Sequence, residues 1–548
     1  MNKFLSIFTF LALMVLSLPT HAQDTTDIDY TKLESIGLLH NEDSNSLGAG
    51  LYSQSNRSET VFLLKNINRT SWISLQNTVK NLLITSADSA AINNDIDINE
   101  GHDLLTLRMT ALLRMGYNKE AFELYTKTSD LSLDEPLIRA GIFSMLLNKQ
   151  KALACLEIKT SLNKYQNIDF WKELNAYCTL SLSKDAHPEY QTIIDQSKNK
   201  ILKSILENKD FRFEYDTKSF AALSFLERAI LTAEDRIILP RSSNVSFQHI
   251  HPQHTAALLQ QTHISEDTKA LLSLNAVENG VQSIDFLSAM YESILDKYKN
   301  NPPKNNDWYQ LAALYDETKA GWIPKKRKDK IAEAFTIADK YSDITLLPFL
   351  PAIQGMDIGE DLSLSHAARA TKIFLYSDDS PPEDWLEQLT DAKYENQNEE
   401  KMRLQLITAL SLMVKTKDTE LQEKARKSLK TYLISDQKTA ALKNIIENID
   451  STQNNGDKVR YIDTNGFDLV WNNRYTMPPY VILKALDQSS KNQDISVSLL
   501  LSAYTLSKMG NEDVYAGILG DIVAALDGLG FKQLSHRIIA QAILKIEN

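Results

Sequence analysis

From Thr60 onward, apolar residues recur at intervals of three and four, the spacing that gathers them on one face of a helix. Val61, Leu64 and Ile67 make one stripe, and Trp72, Leu75, Val79, Leu82 and Leu83 another. Residues 86–102 break the pattern with a polar, acidic loop. Leu104, Leu107, Ala111 and Leu112 then line a face, Met115-Gly116-Tyr117-Asn118 turns the chain, and Ala121, Phe122, Leu124 and Tyr125 begin a partner helix. The next pair opens at Ser132 and Glu135, spaced as a capping box. It carries Ile138, Ile142, Phe143, Leu146 and Leu147, turns at Asn148-Lys149-Gln150, and resumes at Ala152, Ala154 and Leu156.

The step from Gly116 to Asn148 is 32 residues. A helix, a short turn and a second helix at that period resemble a tetratricopeptide unit, although most consensus residues of that repeat are missing. The same logic predicts a helix over Ser219–Thr232, and one from Glu266 that stops at Gly280. A partner with Phe286, Met290 and Ile294 on one face follows. Further pairs are expected at 308–318 with 328–340, 399–415 with 419–433, and 496–509 with 513–526, and a last helix over 532–546. Ser380 and Glu383 bracket Pro381-Pro382 as a second capping box. Val459 to Trp471, around Asn465-Gly466, reads as a short hairpin or an irregular loop. The expectation is an all-α chain: an α-solenoid of stacked antiparallel, TPR-like helix pairs, each touching its neighbours. A lobe over 59–240 and a second over 255–548 would follow an extension at 23–58.

Composition agrees with that pattern. Only 17 Gly and 14 Pro serve 548 residues, below the roughly 7% and 5% of average usage. Turn-rich all-β folds are disfavoured. Asp and Glu (71) outnumber Lys and Arg (59), which disfavours a nucleic-acid binder.

The N-terminus carries an address. Met1-Asn2-Lys3 is followed by an uncharged apolar run, Phe4–Leu18, and by Pro19-Thr20-His21-Ala22. This is the pattern of a signal peptide over residues 1–22, cut after Ala22; an uncleaved anchor is the alternative. Removing Lys3 would leave a charge of −13 on a periplasmic or secreted chain. Its only cysteines, Cys155 and Cys178, lie in adjacent expected helices. They could form a disulfide in an oxidising compartment, or stay as two buried thiols.

Chemical motifs are sparse. His249, His251 and His254, with His263 nearby, suggest a metal site; Pro252 breaks their register and no HExxH accompanies them. Asp95–Gly101 fails the calcium-loop template, which wants Gly at position six and Glu at twelve. Lys325–Lys330 is a basic cluster at a helix start. Phosphate-binding glycine loops, nucleophile elbows and dinucleotide fingerprints are missing. The Glu-Ser and Gly-Leu-Met-Gln segments that mark lytic transglycosylases, which also carry helical superhelices, are missing too. No catalytic residue, cofactor or bound metal is therefore expected.

Ser46–Tyr52, Cys155, Trp171 with Cys178, Asn275–Gly280 and Leu526–Phe531 together resemble an uncharacterised family of secreted helical-repeat proteins from alphaproteobacteria. That resemblance spans most of the chain past the leader. It implies export, the solenoid and the cysteine pair, and it brings no activity. The expected function is a non-enzymatic scaffold for a protein or peptide partner in the cell envelope. The alternative is a cell-wall or polysaccharide enzyme whose two carboxylates meet across repeats.

Overall fold

The computed structural model describes residues 28–98, 101–182, 188–239, 250–319, 324–377, 379–435, 478, 480–509 and 516–545. The leader at 1–22, the hairpin expected at 459–471 and His249 lie outside them.

The described chain is all-α, as the apolar spacing predicts. It begins with α1 (Tyr30–Glu34), α2 (Arg57–Asn66), α3 (Ile73–Ile84), α4 (Leu104–Met115), α5 (Asn118–Thr126), α6 (Glu135–Leu147), α7 (Lys151–Tyr165) and α8 (Asp169–Leu182). It continues with α9 (Pro188–Gln196), α10 (Lys200–Glu207), α11 (Thr217–Ala221), α12 (Phe225–Ala233), α13 (Pro252–Leu259), α14 (Glu266–Glu278), α15 (Ile284–Tyr298), α16 (Asp307–Lys319) and α17 (Pro324–Ala338). Then come α18 (Leu350–Gln354), α19 (Leu364–Ile373), α20 (Glu383–Asp391), α21 (Gln397–Met413), α22 (Thr419–Ser435), α23 (Tyr480–Lys491), α24 (Ile495–Met509), α25 (Ala516–Gly528) and α26 (Lys532–Leu544). Two residues of β1 (Phe213–Glu214) pair in parallel with β2 (Ile237–Ile238).

Local chemistry sets the helix ends. Asp103 caps α4 by accepting from the Thr106 N–H at 2.7 Å. Gly116 ends that helix at φ 87°, where only glycine sits without strain. A Cβ there would also lie 2.8 Å from the Pro252 carbonyl oxygen. Three expectations need correction. Asp134, not Ser132, caps α6, because Pro136 fixes the first turn two residues later. The helix expected over 219–232 is two helices, broken where Ser224 and Glu227 form a full capping box. Ser380 caps nothing, since Pro382 itself stands at the start of α20.

Successive helices pack on one another along most of the chain. The ends of the stack depart from a solenoid whose repeats touch only neighbours. Helix α24 lies on α2 and α3, and α26 lies on α3 and α21. The Ser55 hydroxyl donates to Asp494 at 2.7 Å, across 439 residues of sequence, and also meets Ser496 at 2.7 Å. Asp494 in turn caps α24 through the Val497 N–H at 3.1 Å. Gln541 accepts from the Ile73 N–H at 3.2 Å and donates to the Ser71 carbonyl at 2.8 Å. Arg537 donates to the carbonyls of Phe374 and Ser377. One apolar core thus runs from Leu33 to Leu544 and crosses the expected boundary between 240 and 255. Helix α13 packs on both α4 and α12 there.

Cys155 on α7 and Cys178 on α8 form a disulfide, with Cα atoms 5.5 Å apart. Trp171, on the same helix as Cys178, is stacked on Tyr165 and donates to Glu135 at 2.9 Å. Disulfides form and persist mainly in oxidising compartments. Among the described residues, no helix is long and apolar enough to cross a membrane.

Replacing both cysteines by serine is expected to lower the unfolding free energy by about 3 kcal/mol, the chain-entropy value for a loop this long. Urea melts of variant and wild type measure it. The native protein should label no thiol until reduced; two labelled thiols would refute the bond.

Candidate functional site

A buried ionic cluster lies under the N-terminus of α4. Glu34 and Arg57 are both buried and pair bidentately at 2.7 Å. Glu34 also accepts from the Leu104 N–H at 2.8 Å. Buried Arg108 donates to the carbonyls of Thr85, Glu34 and Ile36. Asp103 is fully buried and one carboxylate oxygen has no partner. Burial pushes its carboxyl up to about 6, and the charges of Asp134 and Glu34 add to that. All of these groups are enclosed, so the cluster joins α1, α2 and α4 and offers no surface to a substrate.

The histidine segment is described from Ile250 onward. Among the described residues, no three His, Cys, Asp or Glu side chains are placed to hold a metal. His251 caps α13, with Nδ1 accepting from the Gln253 N–H at 3.3 Å. His254 is buried 3.3 Å from the Tyr215 hydroxyl and packs edge-on against Phe220. Burial, then His251 and Arg228, hold its pKa down to about 4, so the ring is neutral at pH 7. His263 sits apart, 3.6 Å from Asp235.

The other sequence candidates are structural as well. Asp95 accepts from the N–H and hydroxyl of Ser58 and so ties the acidic loop to α2. In the basic cluster, Arg327 pairs with Asp361 at 3.1 Å and Lys330 pairs with Glu317.

A groove of 620 Å³ opens where α14, α16 and α17 meet. Asn305, Asn306, Asp307 and Gln310 line it from the start of α16, Asp267 from α14, and Lys340 and Tyr341 from the end of α17. Asn306 caps α16 through the Tyr309 N–H at 2.8 Å, while its amide donates to Asp267 at 3.1 Å. Asp307 takes Lys340 at 2.9 and 3.0 Å and the Tyr341 hydroxyl at 3.1 Å. Burial and the Asp307 carboxylate push that phenol up to about 12, so it stays a donor. Trp308 is buried and floors the groove against Tyr341, with ring centroids 4.4 Å apart. The sequence reading missed this site. Its one local signal is the run Asn305-Asn306-Asp307 before an apolar Trp308, a helix start rich in side-chain amides.

No protein-family model matches the chain, and no curated protein or solved structure matches it either.

Asp103→Asn keeps the cap, because asparagine caps as well as aspartate. The folded carboxyl holds its proton up to about 6, while the unfolded one releases it near 4. The stability this group contributes therefore falls as pH rises through that window. The variant should be more stable than wild type at pH 7.5, by on the order of 2 kcal/mol, and should lose that advantage at pH 4. Thermal melts at both values decide it, and destabilisation at pH 7.5 would contradict the assigned cause.

Proposed function

We propose that this chain is an exported helical-repeat scaffold of the cell envelope, without catalysis of its own, that holds a protein or peptide partner. The address-like residues 1–22 and the disulfide between Cys155 and Cys178 support export. The helix pairs keep their TPR-like reading, and periplasmic placement goes with it.

The groove between α14, α16 and α17 carries the binding reading. A side-chain amide offers both a donor and an acceptor, which is what a peptide unit needs. Asn305 and Gln310 supply two such amides beside the Asp307–Lys340 pair. The groove is open, polar and framed by rigid helices, which suits an extended segment lying across it.

Peptides selected from a random library on immobilised wild-type chain should bind an Asn305→Ala, Gln310→Ala double variant about tenfold more weakly. Its melting temperature should be unchanged. Equal binding by the two proteins would remove the groove from the proposal.

One observation favours the alternative, a polysaccharide-acting enzyme. Asp521 on α25 faces Asp487 on α23, and burial, then that neighbouring charge, pushes Asp521 up to about 6. A raised carboxyl beside a second carboxylate is the arrangement of a general acid and its partner. Asp487, however, also pairs with Lys491 at 2.6 Å. If Asp521 is the acid, Asp521→Asn should slow release of soluble fragments from purified peptidoglycan by roughly a hundredfold or more. A wild-type chain that releases none ends this reading.

A further inference from the structure

Each arginine that loses water on folding needs a compensating charge or dipole, because an isolated buried cation is costly. Most in this fold have one. Arg57 has Glu34, Arg403 has Glu400, and Arg369 has Asp339 and Asp343. Arg108 has three carbonyls, and Arg114 has the carbonyls of Leu64 and Lys65 at the negative end of α2.

Arg69 and Arg228 stand apart. Arg69 reaches only the Met115 carbonyl and the Tyr117 hydroxyl, both at 3.4 Å, and lies over the Tyr117 ring. Arg228 donates to the Gln253 amide oxygen at 2.6 Å and lies over the Phe225 ring, and its Nε is buried without a partner. Among the described residues, neither meets a carboxylate. Burial depresses both guanidinium groups, as it does that of Arg114.

The two converge on one place. Arg69 holds the Met115 carbonyl beside Gly116, which abuts Pro252, and Arg228 holds Gln253, whose N–H donates to His251 Nδ1. The lowered His251 pKa, from burial and then Arg69 and Arg228, agrees with that placement. The core fixes the meeting point. Gly116 abuts the Pro252 carbonyl, and the Gln253 amide donates to the Leu113 carbonyl at 3.2 Å. These contacts lock the turn after α4 against the start of α13. Arg69 and Arg228 are only half-buried and His251 is exposed, so the locus opens to solvent. With its Nδ1 accepting from Gln253, a neutral His251 carries its proton on Nε2 and can donate.

We propose that Arg69, Arg228 and His251 form a binding site for a phosphate- or sulfate-type oxyanion, either free or as the head of a monoester. Two guanidinium forks supply planar, bidentate donors matched to such oxygens. Their two charges match a dianion, and the neutral imidazole adds a third donor. The site lies apart from the groove proposed for the partner, so either can stand if the other fails.

The test is calorimetric titration of the full-length chain with inorganic phosphate, with sulfate and with glycerol 3-phosphate, in a chloride buffer at pH 7.5. Wild type should bind with a saturable, single-site isotherm. Arg69→Gln and Arg228→Gln should each weaken binding by about tenfold or more. Arg228→Lys, which keeps the charge but loses the fork, should fall between. Lys80→Gln should bind as wild type does, because Lys80 is already paired with Glu120. Each glutamine variant removes an uncompensated cation, so its ligand-free melting temperature should hold or rise. Tighter binding of glycerol 3-phosphate than of inorganic phosphate marks a monoester head as the ligand, and the reverse order marks the free ion. Absence of saturable binding, or equal binding by wild type and both glutamine variants, overturns the proposal.

Discussion

A stack of amphipathic helix pairs is apolar at both ends, because the first and last pairs lack a neighbour on one side. Repeat proteins usually meet this with polar capping repeats. Here the chain covers its first helices with its last. Helix α24 is apolar around most of its circumference, with Leu499, Leu500, Leu501 and Leu506 buried. It also buries Ser496, Ser498, Ser502 and Thr505. Those small side chains allow α23, α2 and α3 to approach closely on the remaining faces. The Ser55–Asp494–Ser496 contacts then set the register, since buried hydroxyls and a carboxylate must find partners. Burial raises the Asp494 pKa, and donated hydrogen bonds from Ser55, Val497 and Ser496 oppose that rise. The rest of the fold depends on this closure. It places α26 against α3 and α21 and joins both halves of the chain in one core.

Helix α4 shows what closure does to a helix in the middle. The sequence presents it as amphipathic, yet Leu104, Leu105, Leu107, Met109, Leu112 and Leu113 are all buried. It is enclosed by α2, α3, α5, α6 and α13. A helix buried on most of its faces, with Thr110 its exposed residue, must dispose of most polar groups internally. That is why Asp103, Arg108, Glu34 and Arg57 gather at one end of it. Replacing such buried pairs by apolar residues is often neutral or stabilising. Their retention here is better explained by register: Glu34 meets Arg57 and the Leu104 N–H in only one docking of α1 against α2 and α4.

Much of this was legible in the sequence where the information is local. Gly116 and Gly280 stop their helices at positive φ, as a glycine after an apolar run implies. The cysteine pair on adjacent helices was legible as a disulfide or as two thiols, and geometry selected the disulfide. Other features failed for identifiable reasons. Phe220, Leu223, Leu226 and Ile230 form an unbroken stripe that hides the break at Ser224, where a capping box outcompetes helix continuation. In α15 the core takes Leu287, Tyr291 and Ile294, whereas Phe286 and Met290 are only partly buried. Both sets are apolar, and only the neighbouring helices choose between them. Closure left no trace in periodicity, because its contacts join residues more than four hundred positions apart.

The histidine segment explains why sites were harder to see than folds. Sequence reading could only count ligand-type residues there, and it set a metal site aside because Pro252 breaks their register. In the fold, His254 is sequestered beside Tyr215 and His251 serves as a helix cap. What distinguishes that locus, among the described residues, is that no carboxylate meets Arg69 or Arg228, and a missing neighbour has no sequence signature. The contacts that fix α13 on α4 hold this locus together. An anion at this point would supply a counter-charge and bridge the turn after α2, the end of α4 and the start of α13. Binding there would be coupled to the packing of three elements that the closure of the stack already brings together.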